Sequence, residues 1–169
     1  MDDVREAIDT STASALAPQP GERVLIVEDE PSTRTGLAEL VQAWGFQTDE
    51  AADGEEAMRK VTTFRPAIIV SDLVMPRMGG IELLHALRDQ LSDISFILLT
   101  AQGTIESAVE AIKDGAYDYL SKPVDPQRLQ ILLQKAVERQ ETLREVRHLR
   151  RQLRLQRDGG RSRGAWHER

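Results

Sequence analysis

The run Ala67-Ile68-Ile69-Val70-Ser71, closed by Asp72, decides the fold. It is short, β-branched and continuously apolar, with no polar residue alternating along it. A strand wetted on one face alternates; an unbroken run belongs to a strand covered on both faces, which is the situation inside a parallel sheet. Parallel neighbours need crossover connections, so helical segments should lie on either side of this run.

They do. Upstream, Arg23-Val24-Leu25-Ile26-Val27 is a second buried-strand run, followed by a helical pattern through Leu37, Leu40, Val41 and Trp44 with Gly45 as its stop. Phe46–Ala51 reads as a strand, and Asp53 is placed to cap a helix with Ala57, Met58 and Val61 inward. Downstream, Gly79-Gly80 breaks the chain before the stripe Ile81, Leu84, Leu87 and Leu91. Ser95–Leu99 is a fourth strand. Thr104 then starts a helix expected to turn Ile105, Ala108, Val109 and Ile112 inward and to end near Gly115. Tyr117–Leu120 is a fifth strand, and a long helical pattern runs from Gln127 to about Gln156. The expected architecture is α/β, with five parallel strands alternating with five helices.

The chain's 169 residues, 40% hydrophobic and 30% charged, suit one soluble domain with an appendage. Cysteine is absent, which excludes disulfides, thiolate metal sites and cysteine nucleophiles. No apolar run approaches the roughly 20 residues of a membrane span, and the acidic start MDDVREAID lacks a signal-peptide core, so a cytoplasmic protein is expected. The net charge of −6 divides into −13 over residues 1–126 and +7 over 127–169. An acidic body argues against direct nucleic-acid binding; the basic end reads first as a solvated helix face.

In a sheet of this kind ligands bind beyond the carboxyl ends of the strands. The polar residues at those ends are Glu28-Asp29-Glu30, Asp72, Thr100-Ala101 and Ser121-Lys122-Pro123. Crowded carboxylates need a proton or a cation among them, and an all-oxygen set suits Mg2+. One carboxylate could then act as a nucleophile toward a phosphoryl group, with the metal and Lys122 neutralising the transferring oxygens. The competing reading is that strand-end acids merely cap the helices that follow, and for Glu30 that reading is preferred. His85 and His148 lie on helices away from this rim and receive no catalytic role.

Four segments, VLIVEDEPSTR, IIVSDLVMPRMGG, FILLTAQG and GAYDYLSKPVD, fall in order at the ends of strands one, three, four and five. Over roughly Arg23 to Gln140 the chain resembles bacterial response-regulator receiver domains. The resemblance implies a flavodoxin-like, doubly wound (βα)5 sheet of order 2-1-3-4-5. It implies Asp72 as phosphoacceptor, with Glu28, Asp29, Asp72 and the Val74 backbone carbonyl as Mg2+ ligands. Glu28 stands where Asp is commoner in the family. Thr100, Ala101, Lys122 and Tyr119 are the implied phosphoryl-binding and switch residues, although Thr100 also reads as an ordinary strand-end hydroxyl and Tyr119 as core packing. The Lys122-Pro123 bond is a candidate cis peptide. Val74 and Gln102 flank the expected path of an attacking water, and an apolar Val74 implies slow loss of the phosphoryl group.

The expected division is a disordered leader over 1–22, the receiver over 23–140, a linker helix over 141–157, and a tail or start of an output domain over 158–169. Leu129, Leu132, Ala136, Leu143, Val146, Leu149 and Leu153 carry an apolar stripe past the receiver's expected end, so Leu143, Val146, Leu149 and Leu153 are read as a dimer seam. Arg139 and Arg150 interrupt it. With this linker, GAYDYLSKPVD resembles the nitrogen-regulation class, whose receivers precede an ATPase that activates sigma-54 RNA polymerase. No GxxxxGK[ST] occurs in the sequence, so the output ATPase is expected to be absent from this chain. The implied partners are a sensor histidine kinase and a second copy of the chain. Self-phosphorylation aside, no enzyme activity is expected. The alternatives are a stand-alone receiver acting through protein contacts, or an aspartate-nucleophile phosphohydrolase of the haloacid-dehalogenase type. Val74, standing where that family needs a second Asp, speaks against the last.

Overall fold

The run that decides the fold is the central strand. In the computed structural model, which describes residues 22–101 and 105–165, β3 (Ile68–Asp72) is buried at every position. It lies between β1 (Arg23–Val27) and β4 (Ser95–Thr100), with β2 (Gln47–Ala51) and β5 (Asp118–Ser121) on the edges. All four pairings are parallel, in the order 2-1-3-4-5. The crossovers are α1 (Pro31–Ala43), α2 (Gly54–Phe64), α3 (Gly80–Ala86) and α4 (Ile105–Lys113), and the last element among the described residues is α5 (Pro126–Ala165).

Because side chains alternate across a strand, one sheet produces two cores. Val24, Ile26, Ile68, Val70, Ile97 and Leu99 meet α1 and α5 through Leu37, Val41, Leu129 and Leu133. Leu25, Val27, Ile69, Phe96 and Leu98 face the other way, onto Ala57, Val61, Leu83, Leu84 and Leu87. The order 2-1-3-4-5 puts α1 and α5 on one face and α2, α3 and α4 on the other. This is the flavodoxin-like arrangement.

Helix ends follow local chemistry. The Glu30 carboxylate accepts from the Ser32 and Thr33 amides and caps α1, and Asp53 caps α2 through the Glu56 amide. Gly45 ends α1 with φ of 98°, a backbone region open to glycine at little cost. Gly80 answers a different need: a Cβ there would collide with the Asp72 carbonyl oxygen, so glycine lets α3 start directly against the end of β3.

Several expectations need correction. Ile105, Val109 and Ile112 face solvent at 52%, 43% and 39% exposure; of the residues expected inward on α4 only Ala108 is buried, joined by Ala111. The third helix is short; Leu87 and Leu91 are buried around a 3-10 turn at Arg88–Gln90. On α5, Leu133 takes the fully buried place and Leu132 is half-buried. This helix is continuous through residue 140, as the pattern from Gln127 to about Gln156 expects, and runs on to Ala165. Glu22, assigned by sequence to the leader, is buried, and its carbonyl accepts from the Gln47 amide. The rest of the leader, Gln102, Thr104 and the last four residues lie outside the described residues.

Candidate functional site at the carboxyl edge of the sheet

Each strand delivers its polar end to one rim. β1 stops at Val27 and hands over Glu28 and Asp29; β3 ends in Asp72, β4 in Thr100, and β5 leads through Ser121 into Lys122. The register aligns them, with Val27 opposite Ser71, Asp72 opposite Leu99 and Thr100 opposite Ser121.

The acids converge. Glu28, Asp29 and Asp72 each offer a carboxylate oxygen within 4.8 Å of the others. Lys122 Nζ donates to Asp72 Oδ2 at 2.8 Å and to Glu28 Oε2 at 3.3 Å. Asp72 is 8% exposed and Glu28 3%, whereas Asp29 reaches solvent. Burial pushes the Glu28 carboxyl up to about 7, helped by its hydrogen bond with Asp72 and by that group's charge, against a smaller downward pull from Lys122. For Lys122, burial pulls downward, but the bond and charge of Asp72, with those of Glu28, outweigh it and hold the ammonium above its ordinary value. One ammonium among three carboxylates leaves the rim short of positive charge. An all-oxygen donor set with one arm open to water fits a hard divalent cation that retains part of its hydration shell.

Around this cluster the sequence-derived candidates divide. Thr100 is fully buried, and its Oγ1 donates to the Leu120 carbonyl at 3.5 Å, the long limit of such a bond. Tyr119 is half-buried and packs on the core shared with α2, α3 and α4. Ala101 is exposed at the end of β4. Val74, two residues past Asp72, is 73% exposed beside the acids. The Lys122–Pro123 peptide is cis. Glu30 points into its capping bonds, and the hydroxyls and amides of Thr33 and Ser32 bring its carboxyl down to about 2. His85 pairs with Asp114 and His148 contacts Gln152, both away from the rim.

Sequence reading missed the groups that hold the acids in place. Arg34 Nη1 donates to the Glu28 carbonyl at 2.9 Å while its Nε meets Glu50 at 3.3 Å. Ser71 Oγ donates to the Asp72 carbonyl at 3.0 Å. The segment after Asp72 is pinned to α2: the Gly54 amide donates to the Met78 carbonyl, and Arg77, with φ of 68°, reaches Asp53 at 3.5 Å. The contacts of Arg34 with Glu50, Gly54 with Met78 and Arg77 with Asp53 link residues far apart in sequence and carry no local pattern.

Comparison with known proteins agrees with this geometry. The family model for the response regulator receiver domain matches residues 24–134. Regulatory protein AtoC of Escherichia coli K12 is 37% identical over 131 residues, covering 78% of this chain and 28% of that protein. The C4-dicarboxylate transport transcriptional regulatory protein DctD of Rhizobium meliloti is 33% identical over 128 residues, covering 76% of this chain. The chain spans 28% of the length of each of these two curated relatives. Among solved structures, NtrX from Brucella abortus superposes with a TM-score of 0.72 at 30% identity, covering 76% of this chain and 30% of that one. A receiver domain protein from Clostridium thermocellum gives 0.69 at 27% identity, covering 72% and 98%. With the sheet order, the rim of acids and the family model in agreement over 24–134, the chain belongs to the response regulator receiver domain family.

Proposed function

We propose that the chain accepts a phosphoryl group on Asp72 from a sensor histidine kinase, acting in the cytoplasm as the receiver of a two-component regulator. The observation that carries this is the pairing of a nearly buried Asp72 with Lys122 at 2.8 Å, inside a cluster of three carboxylates within 4.8 Å. An Asp72 oxygen attacks the phosphorus of a phosphohistidine, the O–P bond forms, the P–N bond breaks, and the imidazole leaves. Lys122 neutralises charge on the transferring oxygens. Mg2+, when bound by Glu28, Asp29, Asp72 and the Val74 carbonyl, supplies further positive charge at the same oxygens.

In this reading Thr100 is the switch hydroxyl. Its 3.5 Å bond to Leu120 is weak enough to exchange for a phosphoryl oxygen, and Tyr119 and Ala101 move with it. Exposed, apolar Val74 cannot orient a water toward the acyl phosphate, so the phosphorylated state is long-lived. The Val74→Asn variant should lose phosphate faster; an unchanged rate would remove this role.

The receiver is proposed to occupy 23–140, with the linker over 141–157 joining it to an output region of a sigma-54 activator. Val146, Leu149 and Leu153 are exposed, and at 3- and 4-residue spacing they take coiled-coil positions a, d and a. β-branched Val at a with Leu at d favours two parallel strands. Glu145 then falls at g, in reach of Arg150 of a second copy at e. Leu143 flanks the seam.

The test is phosphorylation of wild type and Asp72→Ala by a small-molecule phosphodonor with and without Mg2+. Wild type should gain an alkali-labile phosphate only with Mg2+, and the variant should gain none. Labelling of the variant equal to wild type would sink the Asp72 assignment.

A further inference from the structure

Past the segment matched by the family model, which ends at residue 134, α5 does not leave the domain. Ala136 and Val137 are buried, and Gln140 is 2% exposed. The Gln140 amide satisfies its surroundings with its nitrogen on the Asp93 carbonyl at 2.9 Å and its oxygen accepting from the Ser95 hydroxyl at 2.9 Å. Arg139 Nη1 donates to that same hydroxyl at 2.9 Å and sets its guanidinium 5.7 Å from the Tyr117 ring centre. One turn on, Arg144 Nη1 meets Glu22 at 3.2 Å. Further on, Arg147 pairs with Asp93 and donates to the Ser92 carbonyl at 2.8 Å.

We infer that residues 136–147 of α5 form a latch onto the amino-terminal edge of the sheet, so that the first part of the linker, as far as Arg147, is held on the receiver body and sets the rotational phase of the rest. Leu133, Ala136, Gln140, Arg144 and Arg147 recur at 3- and 4-residue steps and share one side of the helix. At about 100° per residue, Leu149 lies roughly 180° around the helix from Gln140, and Val146 and Leu153 fall within roughly 60° of Leu149. The docking side and the apolar side are therefore opposite, and they overlap in sequence at Val146 and Arg147. A second copy pairing along the apolar side approaches from away from the receiver body and does not compete with the latch. Glu22 and Arg144 stand 122 residues apart, so the latch also ties the entry of β1 to the exit of the domain.

The pairing side rests on the dimer proposed above; the latch does not, and the test separates them. Amide hydrogen exchange is followed on the full chain carrying Leu149→Asp and Leu153→Asp, which removes any coil. With the latch, amides 141–147 remain at least about tenfold slower than amides 150–157. Adding Arg144→Ala and Arg147→Ala brings the two segments to the same rate while the strands stay protected. Equal rates before the arginine changes, or no change after them, would overturn the latch. A monomeric wild type in light scattering would instead overturn the dimer and leave the latch readout intact.

Discussion

The two ends of the sheet handle charge in opposite ways. At the amino-terminal edge, Glu22 faces Arg144 and Asp93 faces Arg147, an arginine for each acid. At the carboxyl edge, Glu28 and Asp72 share Lys122, and the Asp29 carboxylate comes within 4.8 Å of theirs. The first arrangement is electrically complete and serves to hold a helix. The second is incomplete, and it contains a Glu28 carboxyl that burial, helped by the hydrogen bond and charge of Asp72, raises to about 7. Uncompensated charge at a buried site costs stability and persists where something else is to bind. The contrast separates a site from a brace, although both are built of acids and bases at strand ends.

Removing the rim's cation breaks the comparison hardest. Lys122→Ala should lower the initial rate of phosphorylation by a small-molecule donor about 10²–10³-fold, the usual loss when one donor to developing oxygen charge is deleted. Arg147→Ala, at the other end, should leave that rate unchanged. A Lys122→Ala rate near wild type would remove Lys122 from the chemistry.

The next effect is on stability and reads the buried Glu28 carboxyl directly. Glu28 is raised from an ordinary 4.5 to about 7. A carboxyl raised on folding contributes stability that is fully present below its unfolded value and is lost as pH rises through the folded one. The metal-free domain should therefore melt at a lower temperature at pH 8 than at pH 5.5. Glu30, brought down to about 2, is ionised in both states across this window and adds no slope. Millimolar Mg2+ should raise the melting temperature more at pH 8 than at pH 5.5, because binding at the lower pH must displace a proton. Glu28→Gln isolates this carboxyl from other titrating groups; a slope that survives in that variant has another source.

Much of this asymmetry was legible in the sequence, and the missing part has a physical cause. The runs Val24–Val27, Ile68–Val70 and Phe96–Leu99 announce strands covered on both faces, and in such a sheet the polar residue closing each run must lie on the rim. The facing of α4 was not legible. The helical stripe of Ile105, Ala108, Val109 and Ile112 suggests an inward face, yet only Ala108 of these is buried, with Ala111 beside it, and the larger side chains are left in solvent. Periodicity reports that a helix has an apolar side, not which apolar side the core admits. The base was invisible for another reason. Gln140, Arg144 and Arg147 are polar residues on a long charged helix, and their partners at Ser95, Glu22 and Asp93 are fixed only once the sheet has brought distant segments together.

The smallest effect belongs to the base. Arg144 and Arg147 have side chains 57% and 45% exposed, so each ion pair is screened by water and carries the entropy of ordering a long side chain. Arg147→Ala should cost about 0.2–1 kcal/mol of unfolding free energy, read from the midpoint of a urea titration, with the denaturant slope unchanged. The value should shrink in high salt, because an exposed pair is weakened by screening. A loss well above this range would mean that Arg147 works mainly through its hydrogen bond to the Ser92 carbonyl, which salt barely screens. The salt dependence therefore tells the two contributions apart. It also marks the contrast with the rim, where the decisive carboxylates are buried and ionic strength should matter far less than a specific divalent cation.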